Sequence, residues 1–282
     1  MNINSICVIG AGTMGSGIAQ VAAQSGHQSL LFDIDTVVLD KAKASIEKNL
    51  QFLLDKQKIS AGEKEAIFNR IRFITQVNDC VADLVIEAIV EKTAAKVSIF
   101  NQLAGINPAT TIFATNTSSL SVSTIQKDVV HPERVVGMHF FNPAPLMKLV
   151  EVVKGEQTNE ETAQKVFDCC LSMNKTPVMC KDAPGFIVNR VARPYYLEAM
   201  KLVEKGIAGF EEVDAIMEAT GFKMGPFKLM DLIGMDVNLA VSRSVYEAFD
   251  KAERFTPSPL QVAKVEKGEL GKKTGKGFYD YN

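Results

Sequence analysis

Long apolar runs, paired cysteine motifs and an excess of charge of one sign are all missing from this sequence of 282 residues. No apolar stretch approaches the roughly 20 residues that a membrane helix needs, so we expect no membrane-spanning segment. A formal net charge of −2 gives no electrostatic reason to expect nucleic acid or an acidic membrane as the main partner. The five cysteines are an odd number without CxxC spacing, which favours free thiols in a reducing compartment and no metal site.

The N-terminal residues MNINSICVIGAG lack a basic region and hold only a short apolar run, unlike a signal peptide, so we expect a cytoplasmic protein. Strand and helix patterns alternate up to Pro184–Gly185, and helical patterns dominate after it. We therefore predict an α/β fold: a Rossmann-type doubly wound, mostly parallel sheet in residues 1–184. We predict an all-α domain in residues 185–282, for substrate binding and dimerisation.

An amphipathic helical pattern runs from Thr36 to Arg72 and breaks at residues 60–62. It predicts a helical hairpin, inserted where a plain doubly wound fold needs a single helix. The lysines on this hairpin favour a solvated face, with a contact to a phosphate-rich substrate tail as the alternative.

The segment SICVIGAGTMGSGIAQ contains the spacing GxGxxG between a predicted strand and a predicted helix. Gly12 would let the backbone approach a pyrophosphate, and Gly15 would let the helix pack closely on the strand. Asp33 ends the next strand, eighteen residues after Gly15, where an acid binds the adenosine ribose and disfavours a 2′-phosphate. This context predicts NAD rather than NADP. The candidate cofactor-binding residues of this segment are Gly10, Gly12, Thr13, Met14, Gly15 and Asp33.

Polar side chains follow two further predicted strands, ADLVIEAIVEK and TIFATNTSSL. Glu91 lies in the loop after the first strand, and Lys96 lies on the helix that follows. Asn116 and Ser118 come directly after the second strand. Ligands of open α/β sheets bind beyond the carboxyl ends of strands, so these residues are candidates for the same site. The alternative is that Ser118 or its neighbour only caps the helix that follows.

Residues 139–151, HFFNPAPLMKLVE, have strand patterns on both sides of two prolines. With the turn centred near Pro145, a regular hairpin pairs His139 with Glu151 across the ladder. A carboxylate in that position would orient the imidazole and stabilise its protonated form, which is how a general base is commonly built. The alternative is a structural or solvated histidine at a strand end.

The chain resembles the L-3-hydroxyacyl-CoA dehydrogenases, most closely the bacterial 3-hydroxybutyryl-CoA dehydrogenases, over essentially its whole length. The motifs that carry the resemblance are VIGAGTMGSGIAQ, DLVIEAIVE, NTSSL, GMHFFNPAPLMKLVEVV, APGFIVNR, MGPF and GKGFYDY. Together they are far more specific than the GxGxxG pattern alone. The resemblance implies an N-terminal domain that binds NAD, a mostly helical C-terminal domain that forms a homodimer, and an acyl-CoA substrate.

The resemblance also implies roles for individual residues. His139 corresponds to the general base of the family and Glu151 to its carboxylate partner. Ser118 and Asn189 correspond to the groups that hold the 3-oxygen of the substrate, and Asn142 to a residue that helps build the same site. The residues implied near the nicotinamide ribose are Glu91, Lys96 and Asn116.

The helical hairpin resembles the segment that contacts CoA in this family, where close bacterial relatives carry two lysines. Only Lys56 matches one of them, because Phe52 occupies the other position. Binding of CoA by this element is therefore expected to differ from that of those relatives.

The resemblance implies an NAD-dependent (S)-3-hydroxyacyl-CoA dehydrogenase that interconverts short-chain 3-hydroxyacyl-CoA and 3-oxoacyl-CoA, such as 3-hydroxybutyryl-CoA and acetoacetyl-CoA. A non-catalytic relative that binds NAD or CoA is the alternative, because a fold does not fix a function. A dehydrogenase of the 6-phosphogluconate type would need a lysine where GFIVNRVARP has Asn189. The sequence leaves open the physiological direction of the reaction, which is either butyrate formation or β-oxidation. It also leaves open the preferred length of the acyl chain.

Overall fold

A computed structural model describes residues 3–281, which form two compact units that divide between Ala183 and Pro184. The first unit holds one sheet flanked by helices, and the second unit is mainly helical. The predicted fold class is therefore confirmed. The division lies one residue before the boundary expected from the sequence.

Eight strands form the sheet of the first unit: β1 (Ser5–Ile9), β2 (Gln28–Phe32), β3 (Ile71–Ile74), β4 (Leu84–Glu87), β5 (Ile112–Thr115), β6 (Val135–Phe140), β7 (Leu149–Lys154) and β8 (Thr176–Lys181). Their order is β3-β2-β1-β4-β5-β6-β7-β8. Only β6 and β7 are antiparallel neighbours. Strands β2 and β3 lie on one side of β1, and β4 and the later strands lie on the other side. The loops after β1 and β4 therefore meet at the point where doubly wound sheets bind ligands.

The central strands are continuous apolar runs because both faces of the sheet are covered. Every residue of β4, β5 and β6 is buried. Six helices belong to this unit: α1 (Thr13–Gln24), α2 (Thr36–Asp55), α3 (Ala61–Asn69), α4 (Thr93–Ala104), α5 (Val122–Gln126) and α6 (Glu160–Ser172). Strands without a polar face are typical of parallel sheets between two layers of helices.

The predicted helical hairpin is present as α2 and α3, but it is shorter than expected. A capping box starts α3: the Ser60 hydroxyl accepts from the Glu63 amide at 3.2 Å, and the Glu63 carboxylate accepts from the Ser60 amide at 2.7 Å. The helix ends at Asn69, and residues 71–74 form the edge strand β3 beside β2. The prediction of helix up to Arg72 is therefore wrong, because pairing with β2 outweighs the local helical pattern.

The second unit contains five helices: α7 (Val188–Glu204), α8 (Phe210–Ala219), α9 (Pro226–Ile233), α10 (Met235–Ala248) and α11 (Pro259–Glu266). Its core is formed by α7, α8, α9 and the first residue of α10, with Leu197, Phe227 and Met230 among the most buried side chains. No helix among residues 3–281 has the length and apolar character needed to cross a membrane.

The C-terminal residues 278–281 are bound to two buried carboxylates of the second unit. Asp231 accepts from the amides of Phe278 and Tyr279 at 2.9 and 3.0 Å and from the Tyr281 hydroxyl at 3.0 Å. Asp214 accepts from the Tyr279 hydroxyl at 2.8 Å. The tail is thus a docked segment of the second unit. All five cysteines are free thiols, as the sequence predicted.

Candidate active site

The glycine-rich loop after β1 has the close backbone contacts that its three glycines permit. Gly10 has φ +97° and donates its amide to the Phe32 carbonyl at 2.8 Å. A Cβ at Gly15 would lie 1.7 Å from the Gly10 carbonyl oxygen, so α1 packs against the loop only with glycine there. A Cβ at Gly12 would meet no atom within 4 Å, so the backbone is open on that side. An open backbone at this position suits the approach of a pyrophosphate.

Helix α1 begins at Thr13 and has no side chain that caps its N-terminus. The first N–H groups of a helix point outward and favour an anion, so the position of Thr13 and Met14 suits a pyrophosphate, and their contact with one stays a prediction. The Asp33 carboxylate accepts from the Ala11 amide at 2.8 Å and the Asp35 amide at 3.0 Å. These contacts hold an acid beside the loop at the end of β2, which fits the ribose hydroxyls of a dinucleotide.

Glu91 organises the loop that follows β5. Its carboxylate accepts from the Thr117 hydroxyl, from the Ser118 amide at 3.1 Å and from the Ser119 hydroxyl at 3.0 Å. Burial alone favours the neutral acid, but the Lys96 ammonium and these hydroxyl hydrogen bonds outweigh it and hold the pKa of Glu91 below its usual value. Helix α5 is capped by Ser121, so the alternative that Ser118 or Ser119 is only a helix cap is wrong.

Lys96 is only 1% exposed and donates to both oxygens of Glu87, at 2.7 and 2.8 Å. It also lies 3.1 Å from Glu91. The sequence alone does not indicate that Glu87 is its partner. Glu87 is the last residue of β4, is fully buried and also accepts from the Thr115 hydroxyl at 2.7 Å. Lys96 therefore forms ion pairs with both Glu87 and Glu91. A direct contact between Lys96 and a cofactor stays a prediction.

His139 and Glu151 face each other in the β6–β7 ladder, which confirms the register expected from the sequence. The His139 Nδ1 atom lies 2.7 Å from Glu151 Oε2. The two residues are 5% and 1% exposed, and the Phe141 ring lies 4.5 Å from the imidazole. A carboxylate that accepts from Nδ1–H fixes the tautomer in which Nε2 is the basic nitrogen. Asn116 accepts from the Phe140 amide at 2.8 Å and so joins the end of β5 to the strand that carries His139.

The loop of residues 142–147 connects β6 to β7 and is bound by Lys175, a residue that the sequence did not indicate as part of the site. The Lys175 ammonium, which is buried, donates to the carbonyls of Ala144 at 2.6 Å and Met147 at 2.9 Å. Residues 142–145, the glycine-rich loop and α2 line a cavity of about 350 Å³ in the first unit. Asn142 therefore lines the same cavity as Gly12 and Thr13.

The two remaining candidate residues are Lys56 and Asn189. Lys56 is exposed at the end of α2, with its ammonium 5.7 Å from the ring centre of Phe52. Asn189 belongs to the second unit, where it is half-buried in the first turn of α7. Their predicted contacts with substrate stay predictions.

The fold and the loop define the class of this protein. A parallel sheet with this strand order, an uncapped helix after a glycine-rich turn and an acid at the end of β2 together form a dinucleotide-binding site of the Rossmann type. NAD fits the residues present, because Gly12 leaves room for the pyrophosphate and no arginine follows Asp33 in FDIDTVV.

Comparison with known proteins identifies the family. Residues 5–183 match the model for the NAD-binding domain of 3-hydroxyacyl-CoA dehydrogenase, and residues 185–281 match the model for its C-terminal domain. The chain therefore belongs to the 3-hydroxyacyl-CoA dehydrogenase family, whose members are NAD-dependent oxidoreductases.

Individual relatives match over nearly the whole chain. The 3-hydroxyadipyl-CoA dehydrogenase of Escherichia coli K12 is 47% identical over all of this chain, which spans 60% of the length of that relative. The 3-hydroxybutyryl-CoA dehydrogenase of Clostridioides difficile is 42% identical, with 98% of this chain and 99% of that protein covered. The crystal structure of (S)-3-hydroxybutyryl-CoA dehydrogenase from Ralstonia eutropha superposes with a TM-score of 0.94 at 37% identity, and both chains are fully covered.

Proposed function

We propose that this protein interconverts short-chain (S)-3-hydroxyacyl-CoA and 3-oxoacyl-CoA with NAD, as in the pair 3-hydroxybutyryl-CoA and acetoacetyl-CoA. The observation that carries the proposal is the buried hydrogen bond of 2.7 Å between His139 and Glu151. The names of the relatives support an acyl-CoA substrate. The homodimer and the cytoplasmic location expected from the sequence remain predictions.

His139 acts as the general base in the oxidising direction. It takes the proton of the 3-hydroxyl group on Nε2, and the imidazolium that forms is stabilised by the Glu151 carboxylate at Nδ1. The chemistry that NAD would supply when bound is acceptance of the hydride from C3 of the substrate. In the reducing direction His139 returns the proton to the 3-oxygen.

Other residues bind and orient the reactants. Ser118 and Asn189 donate hydrogen bonds to the 3-oxygen as it gains negative charge, an effect typically worth about 2.7–4 kcal/mol per donor. Asn142 helps to shape the loop beside the base. On the cofactor side, Asp33 binds the adenosine ribose. The contacts near the nicotinamide ribose are Glu91, Lys96 and Asn116.

The test of this function is the loss of NADH absorbance when the pure protein is mixed with acetoacetyl-CoA, with NADPH run in parallel. We expect rapid oxidation of NADH and little oxidation of NADPH, because the Asp33 carboxylate repels a 2′-phosphate. A preference for NADPH would overturn the role of Asp33. A folded protein that binds NADH and oxidises neither cofactor would favour the non-catalytic alternative.

A second prediction concerns the exposed face of α2. The change Phe52→Lys places a second ammonium group near Lys56, and we expect the KM for acetoacetyl-CoA to fall about 1.4- to fivefold at low salt. The magnitude is that of an exposed ion pair with a CoA phosphate, roughly 0.2–1 kcal/mol. The matched control is Phe52→Gln, which removes the ring without adding charge. An unchanged KM in Phe52→Lys at low ionic strength would argue against a CoA contact on this face.

A further inference from the structure

Lys175 is a buried lysine of the first unit whose ammonium group has no carboxylate beside it. The residue lies between α6 and β8, is 7% exposed and forms no ion pair with any residue in the described range 3–281. Burying a charge without a counter-charge is unfavourable, and an apolar side chain of similar length would avoid that cost. The reason for a cation at this position must therefore lie in the groups that it binds.

Those groups are two carbonyls of the loop between β6 and β7. The Lys175 ammonium donates to the Ala144 carbonyl at 2.6 Å and to the Met147 carbonyl at 2.9 Å. Within the same loop, the amides of Leu146 and Met147 both donate to the Pro143 carbonyl at 3.0 Å. Without the ammonium group, the Ala144 and Met147 carbonyls would lose this donor, which favours a rearranged loop. Lys175 therefore stabilises one conformation of the loop.

A second contact fixes the same loop against helix α1. A Cβ at Gly17 would lie 3.2 Å from both Ala144 Cβ and Pro145 Cδ, so a larger residue there would push the loop away. Ala144 is only 2% exposed. The side chain of Ala144 is thus held by α1 while its carbonyl is held by Lys175, and the two contacts together set where the loop lies.

The loop carries Asn142, which lines the cavity of about 350 Å³ together with Gly12 and Thr13. His139 and Glu151 lie outside the loop, in the β6–β7 ladder, where pairing of the strands sets their register. A shift of the loop would therefore move Asn142 and leave the His139–Glu151 pair in place. A displacement of about 1 Å in a group that positions a substrate can cost about 100-fold in rate.

We propose that Lys175 is a positioning residue for the reaction: by binding the Ala144 and Met147 carbonyls it sets the place of Asn142, and through Asn142 the binding of the acyl-CoA substrate. This inference rests on the proposed function and concerns the substrate rather than the general base. The competing explanation is that Lys175 stabilises the first unit without any effect on the reactants.

The test compares Lys175→Met with the wild type in steady-state kinetics with acetoacetyl-CoA at saturating NADH. We expect kcat/KM to fall about 10- to 100-fold, the range expected for lost hydrogen bonds to a charged group and a displaced contact. The fall should be mainly in KM, because a misplaced Asn142 weakens binding of the substrate and the transition state alike. The pKa in the pH profile of kcat/KM should stay unchanged, because His139 and Glu151 keep their register.

The matched control is Lys148→Met. Lys148 is exposed, and its ammonium donates to the Asn174 carbonyl at 3.1 Å, which is next to Lys175 in the chain and outside the loop. We expect this change to leave kcat/KM within about twofold of the wild-type value, as is usual for surface substitutions.

A double mutant separates positioning of Asn142 from a general effect on stability. In an Asn142→Ala background, Lys175→Met should lower kcat/KM by less than about threefold, because no Asn142 amide remains to be displaced. Two independent effects would instead multiply. Multiplying effects, or a lower Tm of Lys175→Met with unchanged KM, would show that Lys175 has only a structural role, and the dehydrogenase function would stand.

The wild-type protein is measured first, so that failure of the proposed function is distinguished from failure of this inference. If the wild type does not turn over acetoacetyl-CoA, the proposed function itself fails. If Lys175→Met does not fold, Gly17→Ala displaces the same loop from the α1 side. We then expect KM to rise about two- to fivefold in the presence of Asn142 and to stay unchanged in an Asn142→Ala background. An unchanged KM in Gly17→Ala itself would overturn the proposal.

Discussion

Replacement of His139 with Gln is expected to lower kcat by two or more decades while the affinity for NADH stays unchanged. The reason is that glutamine can neither take the proton of the 3-hydroxyl group nor, in the reducing direction, donate one to the 3-oxygen, and positioned acid–base catalysis contributes about 10²- to 10⁴-fold. His139 lies on β6, whereas the nucleotide loop follows β1, so the variant leaves the glycine-rich turn intact. The measurements are steady-state kinetics with acetoacetyl-CoA and a fluorescence titration with NADH.

The companion variant is Glu151→Gln, which keeps a hydrogen-bond acceptor opposite His139 Nδ1 but removes the negative charge. We expect a smaller loss of kcat if the carboxylate mainly orients the ring, and a loss close to that of His139→Gln if it stabilises the imidazolium. Near-normal turnover in His139→Gln would rule out His139 as the general base, whatever the kcat of Glu151→Gln.

Gly15→Ala is expected to destabilise the first unit and to abolish NADH binding. The new Cβ would lie 1.7 Å from the Gly10 carbonyl oxygen. A backbone atom cannot relieve this clash by a change of rotamer, as a flexible side chain can. Overpacking of this kind costs about 3 kcal/mol, which corresponds to a fall in Tm of roughly 6–12 °C for a unit of this size. Thermal unfolding and the NADH titration measure the two effects separately.

The matched control for this variant is Gly62→Ala in α3. A Cβ there would meet no atom within 4 Å, and alanine is a better helix former than glycine. We expect an unchanged or slightly higher Tm and normal NADH affinity. A Gly15→Ala protein with the Tm and NADH affinity of the control would contradict the close packing of α1 on the loop.

The most specific geometric prediction from the sequence concerned a local feature. His139 and Glu151 belong to one hairpin, whose register depends only on the position of the turn, so counting residues was enough to pair them. The glycine-rich turn is equally local, because strand, loop and helix follow one another within a few residues.

The features that the sequence did not predict depend on partners far along the chain. Strand β3 forms because β2 offers an edge, and no property of residues 71–74 alone signals that edge. Lys175 is another example, because a lysine after a helix usually indicates a solvated end. Here its ammonium group donates to two carbonyls of a loop about thirty residues earlier, Ala144 and Met147. Burial of a cation is a tertiary property, which the sequence around Lys175 does not reveal.

The docked residues 278–281 have a consequence for synthesis on the ribosome. Until these residues have left the exit tunnel, Asp231 lacks its donors from Phe278, Tyr279 and Tyr281, and the second unit cannot complete its core. The first unit precedes these residues in the chain as a separate compact unit, and domains generally fold as units, the N-terminal one first, during synthesis. A chain released early, before residue 278, would therefore carry a folded nucleotide-binding half and an unfinished helical half that cellular proteases can attack. Translation through residues 278–281 thereby becomes a condition for the folding of the second unit.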